Sequence, residues 1–183
     1  MKVEIRNQVL AKLERLANDP KRKKQIEDNI TTQLFQSELW QHAERIGVTL
    51  SMSKEFNTET IIQQAFREDK TVSIPKTYAK GIMKFYDYRK TDPLKESKFG
   101  VMEPLNKKET TKDEIDLMIV PGVAFNSEGY RIGFGGGFYD RYLEGFEGNT
   151  CSLVFQEQLV TQLTIEPHDL PVNQILMYHE GEQ

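Results

Sequence analysis

Apolar positions along the first third of the chain recur at helical spacing. Across residues 2–17, Ile5, Val9, Leu10, Leu13 and Leu16 follow the 3.6-residue repeat, and Asn18-Asp19-Pro20 stops it, which predicts one helix. After Pro20, Ile26, Ile30 and Leu34 share a face and predict a second. The cluster Lys21-Arg22-Lys23-Lys24 at its start reads as solvated surface, since positive charge is unfavourable at a helix N-terminus. Leu39, Trp40, Ala43 and Ile46 make a short apolar turn ending at Gly47, and residues 48–52 then read as a strand. A loop from Ser53 leads to a helix carrying Ile61, Ile62, Ala65 and Phe66, with Asn57 or Thr58 as its cap.

Further along, the period changes to that of strands. Residues 71–75 predict a short one, and residues 82–88 alternate as an exposed or edge strand does. Residues 89–113 turn to Lys, Glu, Asp, Pro and Thr and read as a surface loop, long enough to suggest a lid or ligand-binding segment. Residues 117–120, 150–155 and 174–178 predict three more strands, with a turn-rich loop at 166–171. Strands alternating with helices indicate an α/β domain with a mixed, largely parallel sheet. Ligands of such sheets bind beyond the C-terminal ends of the strands, where the loops at Ser53, Pro75, Gly133 and Asp169 fall if those strands are parallel.

One stretch stands apart. After the apolar run at 117–120, Pro121 and Gly122 end the strand and Asn126, Ser127 and Gly129 supply turn chemistry. Gly133, Gly135, Gly136 and Gly137 follow, then Phe138/Tyr142 and Tyr139/Leu143 at i,i+4 spacing open a helix. Glycines let several backbone N–H groups approach one anion, and a helix N-terminus adds its positive dipole end. Arg131 supplies a full charge just upstream. The composition suits a phosphate cradle and a ligand-free tight turn equally. Phe138 stands where a dinucleotide fingerprint needs its third glycine, and no Gly-Lys-Ser/Thr completes a P-loop.

Composition narrows the setting. With 183 residues the chain suits one well-packed domain. The balance of 24 basic against 28 acidic residues argues against nucleic acid or an anionic membrane as partner, so an anionic ligand has to be met locally. No apolar run approaches the roughly 18 residues of a spanning helix, and Met1 leads into a charged amphipathic pattern, which together predict a cytoplasmic protein. The single cysteine, Cys151, reads as buried core. Lys2 and Arg6 lie one turn apart on one helix face, a pair that by itself reads as solvated. The three histidines show no metal spacing.

Residues 121–142, containing Pro121-Gly-Val-Ala-Phe and Gly129-Tyr-Arg-Ile-Gly-Phe-Gly-Gly-Gly-Phe-Tyr-Asp-Arg-Tyr142, resemble the signature of the 5-formyltetrahydrofolate cyclo-ligases, also called methenyltetrahydrofolate synthetases. The resemblance extends to Lys2 and Arg6 as a Lys-x-x-x-Arg pattern, to Leu50-Ser-Met-Ser-Lys-Glu55 before a Thr-Glu-x-Ile-Ile helix, and to Phe99-Gly-x-x-Glu103-Pro104. It covers essentially the whole chain. It implies a single three-layer domain over residues 1–183, similar to the ribose-5-phosphate isomerase and CoA transferase-like fold. It also implies a reaction: ATP-dependent closure of 5-formyltetrahydrofolate to 5,10-methenyltetrahydrofolate, with ADP and phosphate released. Phosphoryl transfer asks a protein mainly for positioning and charge stabilisation, which suits a chain without a Ser/His/Asp or Cys/His constellation.

Carried over by residue, the resemblance gives ATP to Lys2, Arg6, Arg131, Gly133, Phe134, Gly135, Gly136, Gly137, Phe138 and Tyr139. It gives the folate to Leu50, Glu55, Phe134 and Tyr139, Mg²⁺ to Asp140 and Asp169, and the catalytic roles to Arg131 and Asp140. Some members of that family carry lysine where this chain has Gly136, so here the phosphates are expected to rely on Lys2, Arg6 and Arg131. The expected partners are these small molecules alone, and the expected state is a monomer. Two other readings compete: a sugar-phosphate isomerase or acyl-transfer enzyme on the same fold, and a module that only sequesters folate or nucleotide.

Overall fold

The two helices predicted from the N-terminal pattern form as α1 (Lys2–Ala17) and α2 (Pro20–Gln36), in a computed structural model that describes residues 1–98, 100–105 and 108–181. Val9, Leu13 and Leu16 are buried along one stripe of α1, whereas Leu10 falls off the stripe and is exposed. The Asp19 side chain accepts the Arg22 backbone N–H, and Pro20 occupies the first turn, where its missing N–H would have no partner anyway. A short α3 (Glu38–His42) seats the fully buried Trp40, whose indole N–H donates to Glu68.

Next come β1 (Arg45–Gly47), α4 (Glu59–Arg67), β2 (Thr71–Thr77) and β3 (Met83–Tyr88). A hairpin of β4 (Leu94–Glu96) and β5 (Met102–Pro104) precedes β6 (Glu109–Thr110) and β7 (Leu117–Ile119). A second hairpin, β8 (Ala124–Phe125) and β9 (Arg131–Ile132), leads to α5 (Phe138–Leu143), β10 (Asn149–Val154) and β11 (Gln174–Met177). The main sheet has the order β11-β10-β7-β1-β2-β3-β6. Its first five strands run parallel, and β3 and β6 are antiparallel additions.

The central strand β7 shows why there are three layers. Leu117 and Ile119 point into the core shared with α1 to α4, while Met118 and Val120 join the core under α5. A strand buried on both faces reads as an unbroken apolar run, as 117–120 does. Cys151 lies in the first core, fully buried as expected, and burial pushes its thiol up to about 12.

Four local expectations differ from what forms. Residues 48–52 are not a strand; the sheet strand is β1, and the chain leaves it after Gly47. Side chains take over the backbone there: Ser51 N–H donates to Thr58 Oγ1, Thr58 N–H to Ser51 Oγ, and Thr58 Oγ1–H to the Thr49 carbonyl at 2.6 Å. The β3 strand is not an edge, because Glu109 and Thr110 pair with its outer side, and β2 runs on past Pro75 to Thr77. Pro75 is tolerated since β1 pairs only with Thr71 to Ser73. Lastly, residues 89–113 contain the β4–β5 hairpin and β6 rather than pure loop, in pieces too short for a periodicity to register. Phe99 of the Phe-Gly-x-x-Glu-Pro motif lies outside the described residues.

A charged knot fastens the added strands. Asp87 of β3 accepts from Thr110 at 2.7 Å and from Arg45 at 2.8 Å, with Lys108 at 3.2 Å. Burial alone would raise its pKa, but the hydrogen bonds from Thr110 and Lys108 and the charge of Arg45 hold it below the usual carboxylate value. Asp87→Ala therefore removes the nearer carboxylate of Arg45, leaving Glu114 at 4.0 Å, and should cost up to about 3 kcal/mol of unfolding free energy. The contribution belongs to the ionised carboxylate, so it is present above the ordinary carboxylate range and lost as pH falls through the lowered native value. Urea melts of both proteins at pH 7 and pH 3 check this: the gap should shrink at pH 3, and equal gaps would refute the ionic account.

Candidate active site

The site assembles where α1, the loop after β1, the glycine loop and the segment before β11 meet. The glycine loop is prepared by the β8–β9 hairpin. Asn126 Oδ1 accepts the backbone N–H groups of Glu128 and Tyr130 at 3.1 and 3.0 Å, and Gly129 takes φ 95°, as the turn residues suggested. The chain then enters Gly133 to Gly137, with positive φ at Gly135 (110°) and Gly137 (67°). A Cβ built on Gly133 or Gly135 meets nothing within 4 Å, so the concave side of the loop is open. That is the shape of a cradle rather than of a packed turn.

Residues remote in sequence close on this loop. Arg6, from the exposed end of α1, donates Nε–H to the Gly133 carbonyl at 2.9 Å. Lys2 lies 3.5 Å from Glu166, in the loop that also carries His168 and Asp169. Arg131 donates to Asp140 Oδ1 at 3.0 Å and to the Leu170 carbonyl at 3.0 Å, with its side chain only 4% exposed. Burial lowers the Arg131 pKa, and the charges of Asp140, Tyr139 and Asp169 act the other way, so all three lie within its electrostatic reach. Lys2, Arg6, Arg131, the glycines, Asp140 and Asp169 are thus one cluster, although the chain spreads them over 168 positions (2 to 169).

A cleft opens from the cradle onto the α1 face, lined among others by Leu13, Glu55, Phe56, Gly122, Phe134 and Gln158. Glu55 is half-buried, and Leu50 packs against the main core at the start of the same loop. Burial raises the Glu55 pKa, while the Met52 N–H it accepts at 2.8 Å and the charge of Lys23 pull it back. The neighbouring Phe134 is 59% exposed over the mouth. The hydroxyl of Tyr139 is buried with no partner among the described residues, and its pKa is raised first by burial and then by the Glu55 charge, so the phenol stands near that carboxylate. Phe138 packs against the core under α5.

Lys23 corrects the reading of its cluster as solvated. It is buried, donates to Glu27 at 2.9 Å and to the Glu55 carbonyl at 2.7 Å, and its ammonium lies 5.7 Å from the Phe155 ring centre. Glu27 in turn accepts the Asn57 N–H. The pair pins the loop that presents Glu55, and its only sequence trace is the i,i+4 spacing of a lysine and a glutamate. Arg22, next to it, is also engaged, with Glu157 and Glu180.

Comparison with known proteins decides the lineage. The model of the 5-formyltetrahydrofolate cyclo-ligase family matches residues 1–178. The chain belongs to this family. A cyclo-ligase of Haemophilus influenzae is 32% identical over 84% of this chain and 86% of its own, and the Escherichia coli K12 cyclo-ligase is 31% identical over 71% and 75%. The solution structure of the Aquifex aeolicus 5,10-methenyltetrahydrofolate synthetase superposes with a TM-score of 0.82 at 25% identity, over 96% of this chain and 88% of that one. The Mycoplasma pneumoniae synthetase shares the fold at TM-score 0.76, over 96% and 98% of the two chains. The mixed, mostly parallel sheet in a single α/β domain is therefore the cyclo-ligase architecture. Among the described residues, no helix is long and apolar enough to cross a membrane.

Proposed function

We propose that this chain, an ATP-dependent cyclo-ligase of 5-formyltetrahydrofolate, works by phosphorylating the formyl oxygen and closing the ring through N10, with the triphosphate in the glycine cradle and the pterin against Glu55. The convergence of Arg6 on the Gly133 carbonyl carries the reading: a cation from α1 is held at a glycine loop that has open space beside Gly133 and Gly135. Lys2 stands beside it, its salt bridge to Glu166 being exposed and easily exchanged for a phosphate.

The chemistry follows from charge placement. The γ-phosphoryl group passes from ATP to the formyl oxygen, releasing ADP and leaving an iminium phosphate at N5. N10 then attacks the formyl carbon and gives up its proton, and the C–O bond breaks to release phosphate. Arg6 and Lys2 stabilise the charge on the transferred group, and the cradle holds it in line. Tyr139, whose buried hydroxyl has no partner among the described residues, would gain one by donating to a substrate oxygen. Glu55, when ionised, accepts the adjacent ring N–H and exocyclic amine of an aminopyrimidine together.

Asp140 and Asp169 fit a magnesium ion. Mg²⁺ takes one or two carboxylates together with phosphate oxygens and water, so a site of two carboxylates at a phosphate cradle is complete without a third, and no cluster of three acidic, histidine or cysteine ligands occurs among the described residues. When bound, the ion would offset charge on the phosphates. Arg131 keeps Asp140 aimed at that position.

Methenyltetrahydrofolate absorbs in the near ultraviolet where the formyl compound does not, so an absorbance rise on mixing protein, Mg·ATP and 5-formyltetrahydrofolate tests the whole reading. No rise refutes it. Glu55→Gln should raise KM for the folate by about 10- to 100-fold and leave KM for ATP nearly unchanged, on the order of 1.5–3 kcal/mol for hydrogen bonds to a charged group. Because burial raises the Glu55 pKa, the wild-type KM for folate should climb on acidification sooner than an ordinary carboxyl would dictate, and the variant should lack that limb. Equal loss of both substrates would count against a pterin role.

A further inference from the structure

The turn that carries Glu55 is closed on itself. The Glu55 backbone N–H donates to the Met52 carbonyl at 3.0 Å, and its carboxylate accepts the Met52 N–H at 2.8 Å. These bonds fix the shape of the turn but not its place, since both partners lie within residues 52–55. Its place is set from α2. The Lys23 ammonium donates to the Glu55 carbonyl at 2.7 Å, and Glu27, which pairs with Lys23 at 2.9 Å, accepts the Asn57 N–H. Phe56, between the two anchored residues, has its ring centre 5.4 Å from that of Phe155, the ring that the Lys23 ammonium also covers.

Lys23 and Glu27 are each only 8% exposed. A buried ion pair is a poor device for stability alone, because an apolar pair of similar volume serves a helix at least as well. What an apolar pair cannot do is hydrogen-bond the backbone of residues 55 and 57, or set a cation beside Glu55. On the other side of the loop, Lys54 reaches Glu14 of α1 at 3.2 Å, but both side chains are exposed and the tie is weak.

We propose that Lys23 is a positioning residue for folate recognition: with Glu27 it fixes where the loop presents the Glu55 carboxylate, and it keeps a positive charge beside that carboxylate. The assignment rests on Glu55 receiving the pterin. A carboxylate that accepts two adjacent donors together tolerates little tilt and has to be ionised. Burial works against ionisation of Glu55, and the Lys23 charge works for it. Of the other groups that face the loop, Glu14 of α1 is paired with Lys54, and Tyr139 of α5 is held neutral by burial. Removing the Lys23 charge therefore raises the Glu55 pKa, so the carboxylate is protonated, and folate affinity falls, at a higher pH than in wild type.

The test is the dissociation constant of 5-formyltetrahydrofolate, titrated calorimetrically between about pH 5.5 and pH 8 into wild type, Glu55→Gln, Lys23→Arg and a Lys23→Met/Glu27→Gln double variant. Lys23→Met alone would strand the Glu27 carboxylate, whereas the double variant removes both charges and keeps an oxygen for the Asn57 N–H. At the alkaline end the double variant should bind roughly 3- to 10-fold more weakly, the range of one hydrogen bond. Its acid limb should lie at higher pH than that of wild type, and Lys23→Arg, which keeps the charge, should leave the limb in place. In turnover, KM for the folate should rise in the double variant with kcat and KM for ATP nearly unchanged. Wild-type affinity and limb in the double variant overturn the proposal. So does weaker binding with an unmoved limb, the mark of a merely structural role, or a limb displaced equally in Lys23→Arg. If Glu55→Gln binds like wild type, the pterin reading fails and takes the Lys23 role with it, whereas a loss in Glu55→Gln with none in the double variant refutes Lys23 alone.

Discussion

Replacing Asp140 by asparagine is expected to lower kcat at least about 100-fold at saturating substrates, a loss of about 2.7 kcal/mol of transition-state stabilisation, with the fold intact. Asparagine keeps an oxygen for the Arg131 guanidinium, which among the described residues otherwise donates only to the Leu170 carbonyl, and removes the charge that would hold Mg²⁺. Alanine makes a different experiment. Arg131 is nearly buried, so Asp140→Ala removes its paired carboxylate and leaves Asp169 to offset the charge, and should lose up to about 3 kcal/mol of stability as well. Activity and stability thus separate in the asparagine variant and fall together in the alanine variant. The absorbance assay and thermal melts measure both, and the Mg²⁺ concentration for half-maximal rate should rise in the asparagine variant. Turnover at the wild-type level in Asp140→Asn would remove Asp140 from the metal site and the reaction.

Much of this site was legible because its parts are dense in local signal. Four glycines within five residues, an arginine before them and a helix start after them announce a cradle whatever the surrounding fold. Strand β7 was equally plain, since burial on both faces leaves an unbroken apolar run. The misses share a cause. Strands of two or three residues, such as β6 and the β4–β5 hairpin, have no period to detect, and tertiary pairing alone decides them. Lys23 was hard to see for another reason: what makes it matter is the Glu55 carbonyl, 32 residues further along, which its i,i+4 spacing to Glu27 does not announce. Lys2 and Arg6 lie between these cases. Their spacing alone suggests a solvated face; the resemblance assigned them a role, and their proximity to Glu166 and Gly133 supports it.

Arg6 is where the two ends of the site meet, and its removal should be the second most damaging change. Its Nε–H is committed to the Gly133 carbonyl, and its two terminal nitrogens make no hydrogen bond among the described residues, so they are available to a phosphate. If they grip the group in flight, Arg6→Ala lowers kcat by more than tenfold, at least about 1.4 kcal/mol, because a charge that develops in transfer is then unopposed. If they hold the nucleotide equally before and during transfer, KM for ATP rises and kcat stays. We expect the first result. Arg6→Lys sharpens it: lysine retains the charge but cannot span the carbonyl and a phosphate with one planar fork, so it should restore part of the ATP affinity and little of the turnover. Wild-type kcat in Arg6→Ala would show that the loop needs Arg6 only for its shape, and the charge in transfer would then fall to Lys2.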